Sequence, residues 1–425
     1  MFFWRRKKMA IREVEQTTDL AAVVGAEEEP FRVEEVLQEL EESRDIAQIL
    51  QVLDAHLEDI QQEDYGEYAR QLVSWIDEQL RKEKYPAKYR ALLGSVYQRL
   101  EQVDRFKSLL RAVELYREAL EEYQVAGEEE GIAVILNNMG NALVELGAFD
   151  HQYFRQAIPL LEEALEFYRE IEAPSCRAFI WMALGEAYSG LQEEGPDHFE
   201  LAFENYERAW ALFERSEAWL EVAEAQGRLG DVQFELGAFY GDGALEKAVR
   251  HYRNALAVFV EQNQLGLCGL YQSRLAEAYI GLSNMESEHL HKGMRAYERA
   301  LDIFEQIDDK GARADTCMEL GRLHQVLKDE DENAHLEKAV DRYVHALQLY
   351  RDLGRETERG GALQALARVY LEAGSTSDPE DIAQAILLLE EASQIYQLES
   401  CAAEFQAIED ELRQARQLLG PLPAG

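Results

Sequence analysis

From about residue 87 the chain returns to one pattern every 45 or 46 residues, seven times in phase. A Leu or Met stands before a small residue at Leu93-Gly94, Met139-Gly140, Leu184-Gly185, Leu229-Gly230, Leu275-Ala276, Leu320-Gly321 and Leu366-Ala367. A second element follows each, with small, large and small residues at offsets 0, 4 and 7. It reads Ala112/Tyr116/Ala119, Ala157/Leu161/Ala164, Ala202/Tyr206/Ala209, Ala248/Tyr252/Ala255, Gly293/Tyr297/Ala300, Ala339/Tyr343/Ala346 and Ala385/Leu389/Ala392. Chance does not hold such a register over seven copies, so internal repetition constrains the fold before any other feature.

Offsets of 4 and 7 place all three residues on one face of a helix. The small residues let a neighbouring helix approach closely, and the large one fills the gap between units. A Gly within the first helix costs up to ~1 kcal/mol against Ala, which a close helix–helix contact explains. Each unit therefore reads as a helical hairpin too small to bury its own face, and stacking supplies a shared core. Only 8 Pro and 27 Gly punctuate 425 residues, in keeping with helix throughout. No linker breaks the phase, so one repeat domain is expected over residues 87–400.

These residues resemble the tetratricopeptide repeat, which carries Leu-Gly and often Tyr in its helix A and Ala…Tyr…Ala in its helix B. Tyr97, Tyr188, Tyr279 and Tyr370 fall at the helix A tyrosine position, and Trp181 at its tryptophan position. The resemblance implies an all-α fold, an α-α superhelix (solenoid) of about seven hairpins with helical caps at both ends. The family's unit is about 34 residues, so this is a long-period variant. The spacing predicts that both inter-helix turns are lengthened, by roughly one to two helical turns each, with the stacking face intact. Long-period arrays of this kind resemble those of kinesin light chains and of bacterial proteins partnered with caspase-like proteases. The sequence holds no protease domain, and only the array carries over.

The ends differ from the array. Residues 1–30 form a basic and irregular lead, in which Phe2, Phe3, Trp4, Arg5, Arg6, Lys7 and Lys8 supply three aromatics and four cations. No apolar run follows them, so they are not a secretory signal. They are a candidate peripheral membrane foot of weak affinity, with a tail as the plainer reading. Helices over residues 31–86 are expected to cap the first repeat, after Pro30. Residues 401–425 hold a final capping helix, over 402–419, and a Gly-Pro tail.

The chemistry of charge and motif is mostly exclusion. With 83 acidic and 43 basic residues the formal charge is −40, which repels nucleic acid and anionic lipid; removing the cationic first eight residues leaves −44. HExxH, GxGxxG, GxxxxGK[ST] and GxSxG are absent. His289 and His291 read as solvated residues of an inter-helix turn. Asp329/Asp331/Asn333 starts like a calcium loop, but Ala334 and Val340 stand where the loop needs Gly and a bidentate Glu. Cys176, Cys268, Cys317 and Cys401 lie far apart with no CxxC, as suits buried, reduced thiols in a cytoplasmic protein. No cofactor, metal or catalytic residue is expected.

In the resembled family, helix A lines a concave groove that holds a partner's peptide. Position by position, the residue after the small one is Ser95, Asn141, Glu186, Asp231, Glu277, Arg322 and Arg368. Asn138, Arg228 and Arg274 stand two before it, and Asn137 and Gln364 three before. The amides of Asn137, Asn138 and Asn141 suit an extended backbone, as donors and acceptors together. Arg228, Arg274, Arg322 and Arg368 suit carboxylates of a partner, although Arg228 and Arg274 equally suit neutralising Glu186, Asp231 and Glu277. Arg322 and Arg368, with fewer acids at equivalent rungs, read as ligand contacts. The function implied is a non-enzymatic scaffold for a protein or peptide. Its rivals are the sensor arm of a system with a separate protease or nuclease, and a self-assembling structural subunit.

Overall fold

The computed structural model describes residues 86–99, 105–191, 195–282, 287–327, 332–374, 379–399 and 401–419. The expected arm over 1–30, and all but the last residue of the expected cap over 31–86, lie outside the described residues. Among the described residues there are fifteen helices and no strand. The chain divides into two compact units, Met1–Gly241 and Asp242–Gly425. The division falls between the two helices of the fourth repeat.

The first unit holds α1 (Pro86–Arg99), α2 (Arg105–Ala126), α3 (Glu129–Gly147), α4 (Gln152–Glu170), α5 (Pro174–Ser189), α6 (Pro196–Arg215) and α7 (Trp219–Tyr240). The second holds α8 (Asp242–Glu261), α9 (Leu265–Gly281), α10 (Ser287–Gln306), α11 (Lys310–Val326), α12 (Glu332–Leu353), α13 (Glu356–Gly374), α14 (Pro379–Leu398) and α15 (Ala402–Leu419). Odd-numbered helices up to α13 carry the Leu-Gly element and are the A helices; even-numbered ones carry the triplet and are the B helices. Within each unit every helix packs on its neighbours in the chain.

The triplet is the core. Each of its thirteen alanines, and the large residue between them in every repeat, is at most 2% exposed. The A-helix glycine is what lets that residue in. A Cβ on Gly185 would stand 2.6 Å from the Tyr206 ring, and one on Gly321 would stand 2.5 Å from Tyr343. Repeat 5 exchanges the small residues, with Ala276 on helix A and Gly293 on helix B, where a Cβ would lie 3.2 Å from the Ala276 carbonyl oxygen.

A buried tyrosine hydroxyl needs a partner. Tyr116 donates to Gln98 Oε1 at 3.0 Å and lies 2.9 Å from Ser95 Oγ; Tyr343 donates to Gln325 Oε1 at 2.6 Å; Tyr206 lies 3.5 Å from Ser189 Oγ. Gln98, Ser189 and Gln325 each stand four residues after the A-helix glycine. Where the large residue is Leu161 or Leu389, that position is Val144 or Leu371.

The turns from helix B to the next helix A are not where the extra residues went. The expected lengthened turns between helices B and A are only two or three residues, such as 171–173, 216–218, 262–264 and 307–309, and the helices themselves run to as many as 22 residues. Added residues keep their backbone hydrogen bonds in a longer helix, whereas a longer loop orders chain without them. Each turn is closed by one left-handed residue: Gly127, Glu172, Glu217, Asn263, Asp308 and Gly354, all with φ between 51° and 70°. The next residue's N–H reaches back to the carbonyl of an aromatic, as from Glu128 to Tyr123, Ala173 to Tyr168, Ala218 to Phe213, Gln264 to Phe259, Asp309 to Phe304 and Arg355 to Tyr350. These are Schellman closures, and the aromatic always stands four residues after the last Ala of the triplet. The final helix closes the second unit by burying Ile408, Leu412 and Ala415 against Leu363, Leu389 and Tyr396.

Candidate functional site: the A-helix faces

The candidate residues lie on A helices of both units. In the first unit α3 buries eleven of its nineteen residues. Its unburied residues include Val134, Asn137, Asn138, Asn141 and Glu145. Spaced i, i+3, i+4, i+7 and i+11, they make one narrow strip on a single face. Asn141 Nδ2 donates to the Asn137 carbonyl at 2.9 Å and to its Oδ1 at 3.2 Å. Asn138 Nδ2 is sealed from solvent and has no partner among the described residues. Glu145 ends the strip by accepting from Gln98 Nε2 at 2.9 Å and pairing with Arg105.

Ser95 leaves the expected ladder. It is 1% exposed, because repeat 1 turns that hydroxyl onto Tyr116. Further along the same unit, Arg228 lies 3.9 Å from Glu186 and 4.0 Å from Asp231. The three surround Tyr206, whose hydroxyl is driven above its ordinary pKa chiefly by burial.

In the second unit the arginines are also matched by acids of the chain. Arg274 pairs with Glu277 at 3.0 Å, and Arg322 with Glu319 at 2.5 Å. Burial raises the Glu319 pKa above the usual carboxylate value while Arg322 opposes it. Arg368 Nη2 lies 2.5 Å from Glu411 Oε1, and Gln364 Nε2 donates to the same oxygen at 2.8 Å. That hydrogen bond raises the Arg368 pKa. Glu411 sits on α15, beyond the repeats, and Glu319 stands two before the small residue of repeat 6. Neither was in the sequence-read ladder. Glu319 was findable, since it occupies the position of Arg228 and Arg274 and lies one helical turn from Arg322.

His289 and His291, expected in a turn, lie in the opening turns of α10, because that helix begins at Ser287. The His289 ring stacks on Tyr279 with centroids 6.4 Å apart. A histidine pair was not anticipated: buried His324 and His335 meet with Nδ1 atoms 2.9 Å apart. Burial, with His335, Lys338 and Arg342 nearby, lowers the His324 pKa to about 4. No group of three metal-capable side chains occurs among the described residues. Of the cysteines expected to be buried, Cys268 and Cys317 are; Cys401 is partly exposed, and Cys176, in the first turn of α5, is exposed. Asp329 and Asp331, and the side chain of Asn333, lie outside the described residues, as do Phe2, Phe3, Trp4, Arg5, Arg6, Lys7 and Lys8. No helix among the described residues is long and apolar enough to cross a membrane.

No known protein family and no curated protein matches the sequence. Solved structures do match the fold. A signal-transduction ATPase with numerous domains and a tetratricopeptide repeat sensor, from Pyrococcus horikoshii, matches with TM-score 0.61 at 14% identity, over 96% of this chain and 55% of that one. The chain thus spans about half the length of that protein. A Rap protein complexed with competence and sporulation factor matches with TM-score 0.49 at 14% identity, over 98% and 96% of the two chains. BtubC from P. vanneervenii matches with TM-score 0.47 at 17% identity, over 58% and 92%. At these identities the likeness is one of fold, and the 0.61 match carries it. The chain has the all-α, tetratricopeptide-type helical repeat fold.

Proposed function

We propose that the protein is a non-enzymatic, cytoplasmic scaffold that holds a segment of a partner protein or peptide on its A-helix faces, without cofactor or nucleic acid. The observation that carries this reading is the strip on α3. A helix otherwise committed to the core presents three amides side by side, Asn137, Asn138 and Asn141, on its one open face. Amides offer both donors and acceptors to an extended backbone, here from Asn137 and Asn141, since Asn138 Nδ2 is sealed from solvent. Arg322 and Arg368 are 60% and 57% exposed in their side chains, so their acids hold them in place without covering them.

The test is affinity purification of the full chain and of an Asn141→Ala/Arg322→Ala variant from the same lysate. The variant is expected to stay folded, by circular dichroism and melting temperature, and to lose the wild type's co-purifying protein. Equal recovery of that protein by both forms overturns the reading.

A further inference from the structure

The strongest unassigned feature is a cleft of about 540 Å³ in the first unit, bounded by α4, α5 and α6. It lies on the other side of α5 from the proposed ligand face. Trp181, Leu184 and Tyr188 line it at i, i+3 and i+7, which puts them roughly opposite Glu186 around the helix. Its volume falls in the range of pockets that hold small ligands or a few peptide residues.

The floor is aromatic. Trp181 is half-buried, and its indole N–H is sealed from solvent without an acceptor among the described residues. What the residue exposes is therefore ring carbon, and the chain's own Arg177 already stands 6.0 Å from the ring centroid. Leu201 adds an aliphatic wall that is 40% exposed. Repeat 3 alone combines these two aromatics: the equivalents of Trp181 are Arg90, Leu136, Gln226, Gln272, Cys317 and Leu363. The feature belongs to this repeat and is not a by-product of stacking.

The rim is acidic beyond its internal needs. Arg169 pairs with Glu166, and Arg208 lies 3.1 Å from Glu204. Those pairs consume both cations of the rim and leave Glu162 and Glu163. Glu162 accepts from the Tyr188 hydroxyl at 3.4 Å, and Glu163 has no ion pair among the described residues. Two uncompensated carboxylates over an aromatic floor complement a side chain that is cationic at its tip and able to stack on a ring. The chain's charge of −40 attracts cations from a distance as well.

We propose that the α4–α5–α6 cleft is a second binding site, for an arginine- or lysine-bearing segment of a partner protein. It stands independently of the A-helix reading, since none of its residues is shared with that face.

The probe is a dye-labelled, end-capped octapeptide of alternating arginine and alanine, titrated by fluorescence anisotropy against the full chain at low and physiological salt. Saturable binding is expected, at least tenfold weaker with Glu162→Gln/Glu163→Gln and with Leu201→Lys, which sets a cation in the cleft. Glu207→Gln/Glu214→Gln removes the same charge from exposed positions outside the cleft and is expected to stay within twofold of wild type. Asn141→Ala is expected to leave the probe unaffected while testing the other face. Absence of saturable binding, or equal weakening in the cleft and control variants, overturns the proposal. Circular dichroism of every variant separates lost binding from lost fold.

Discussion

Replacing Gly321 by Ala sets helix propensity against packing. Propensity alone favours the change by up to ~1 kcal/mol in a helix interior. The new Cβ, however, would lie 2.5 Å from Tyr343 Cε1 and 2.8 Å from Cδ1 and Cζ. Tyr343 is 0% exposed, so its ring cannot swing into solvent. Overpacking of that kind costs about 1–3 kcal/mol. Shifting the ring also strains the 2.6 Å bond from its hydroxyl to Gln325, and a buried hydroxyl left unpaired costs about 1–3 kcal/mol. The expected net loss is roughly 1–3 kcal/mol, read as a lower urea midpoint of the full chain. Gly361→Ala is the control, since its nearest neighbour would be the Tyr396 hydroxyl at 3.6 Å; it is expected to gain about 0.5–1 kcal/mol. Repeat 5 shows the remedy, with Ala276 on helix A and Gly293 on helix B. Gly321→Ala/Ala339→Gly copies that exchange, and a favourable coupling of about 1 kcal/mol is expected, beyond the ~0.5 kcal/mol scatter of independent sites. A Gly321→Ala chain as stable as wild type, or strictly additive changes, refutes the account of why these glycines are there.

Three further outcomes are expected. The His324 pKa is about 4 in the folded chain against 6.5 unfolded, so the unfolded chain binds more protons between those values. Its contribution, up to about 3 kcal/mol, is present above pH 6.5 and lost as pH falls towards 4; His324→Leu is expected to flatten the urea midpoint across that window. Glu217 occupies a left-handed turn position at φ 53°, so Glu217→Gly is expected to stabilise by about 0.5–1 kcal/mol and Gly127→Ala to destabilise by about 1 kcal/mol, both read by thermal melts. Glu411→Gln removes the charge that holds Arg368 and weakens the acceptor of Gln364; with Arg368 more than half exposed, a loss of about 0.5 kcal/mol is expected, seen as faster amide exchange confined to α15.

The triplet was legible because burial at each of its positions is nearly complete, so only small residues, or Leu and Tyr between them, survive there. The turns were not, because six left-handed positions are filled by Gly, Glu, Asn and Asp, and no single residue type marks them. A signal was nonetheless present: Tyr123, Tyr168, Phe213, Phe259, Phe304, Tyr350 and Tyr396 hold one position in all seven repeats. That aromatic ends helix B in a fixed geometry, and with the turn pinned, extra length had to go into the helices.

The candidate site was legible as positions and not as pairings. The resemblance to the repeat's helix A put Asn137, Asn138 and Asn141 on one open face. It also put Ser95 there, and the structure buries it, since a position's exposure depends on what the partner helix must satisfy. Tyr116 and Tyr343 are answered by Gln98 and Gln325, while Leu161 and Leu389 face Val144 and Leu371 at the equivalent place. The polar requirement thus travels with the tyrosine, and Ser95 joins Gln98 in meeting it. Arg368 shows the limit from the other side. Its acid comes from α15, which carries no repeat register from which a pairing can be read. Side chains whose partners lie within the repeat can be placed from sequence; those whose partners lie at its ends need the folded chain.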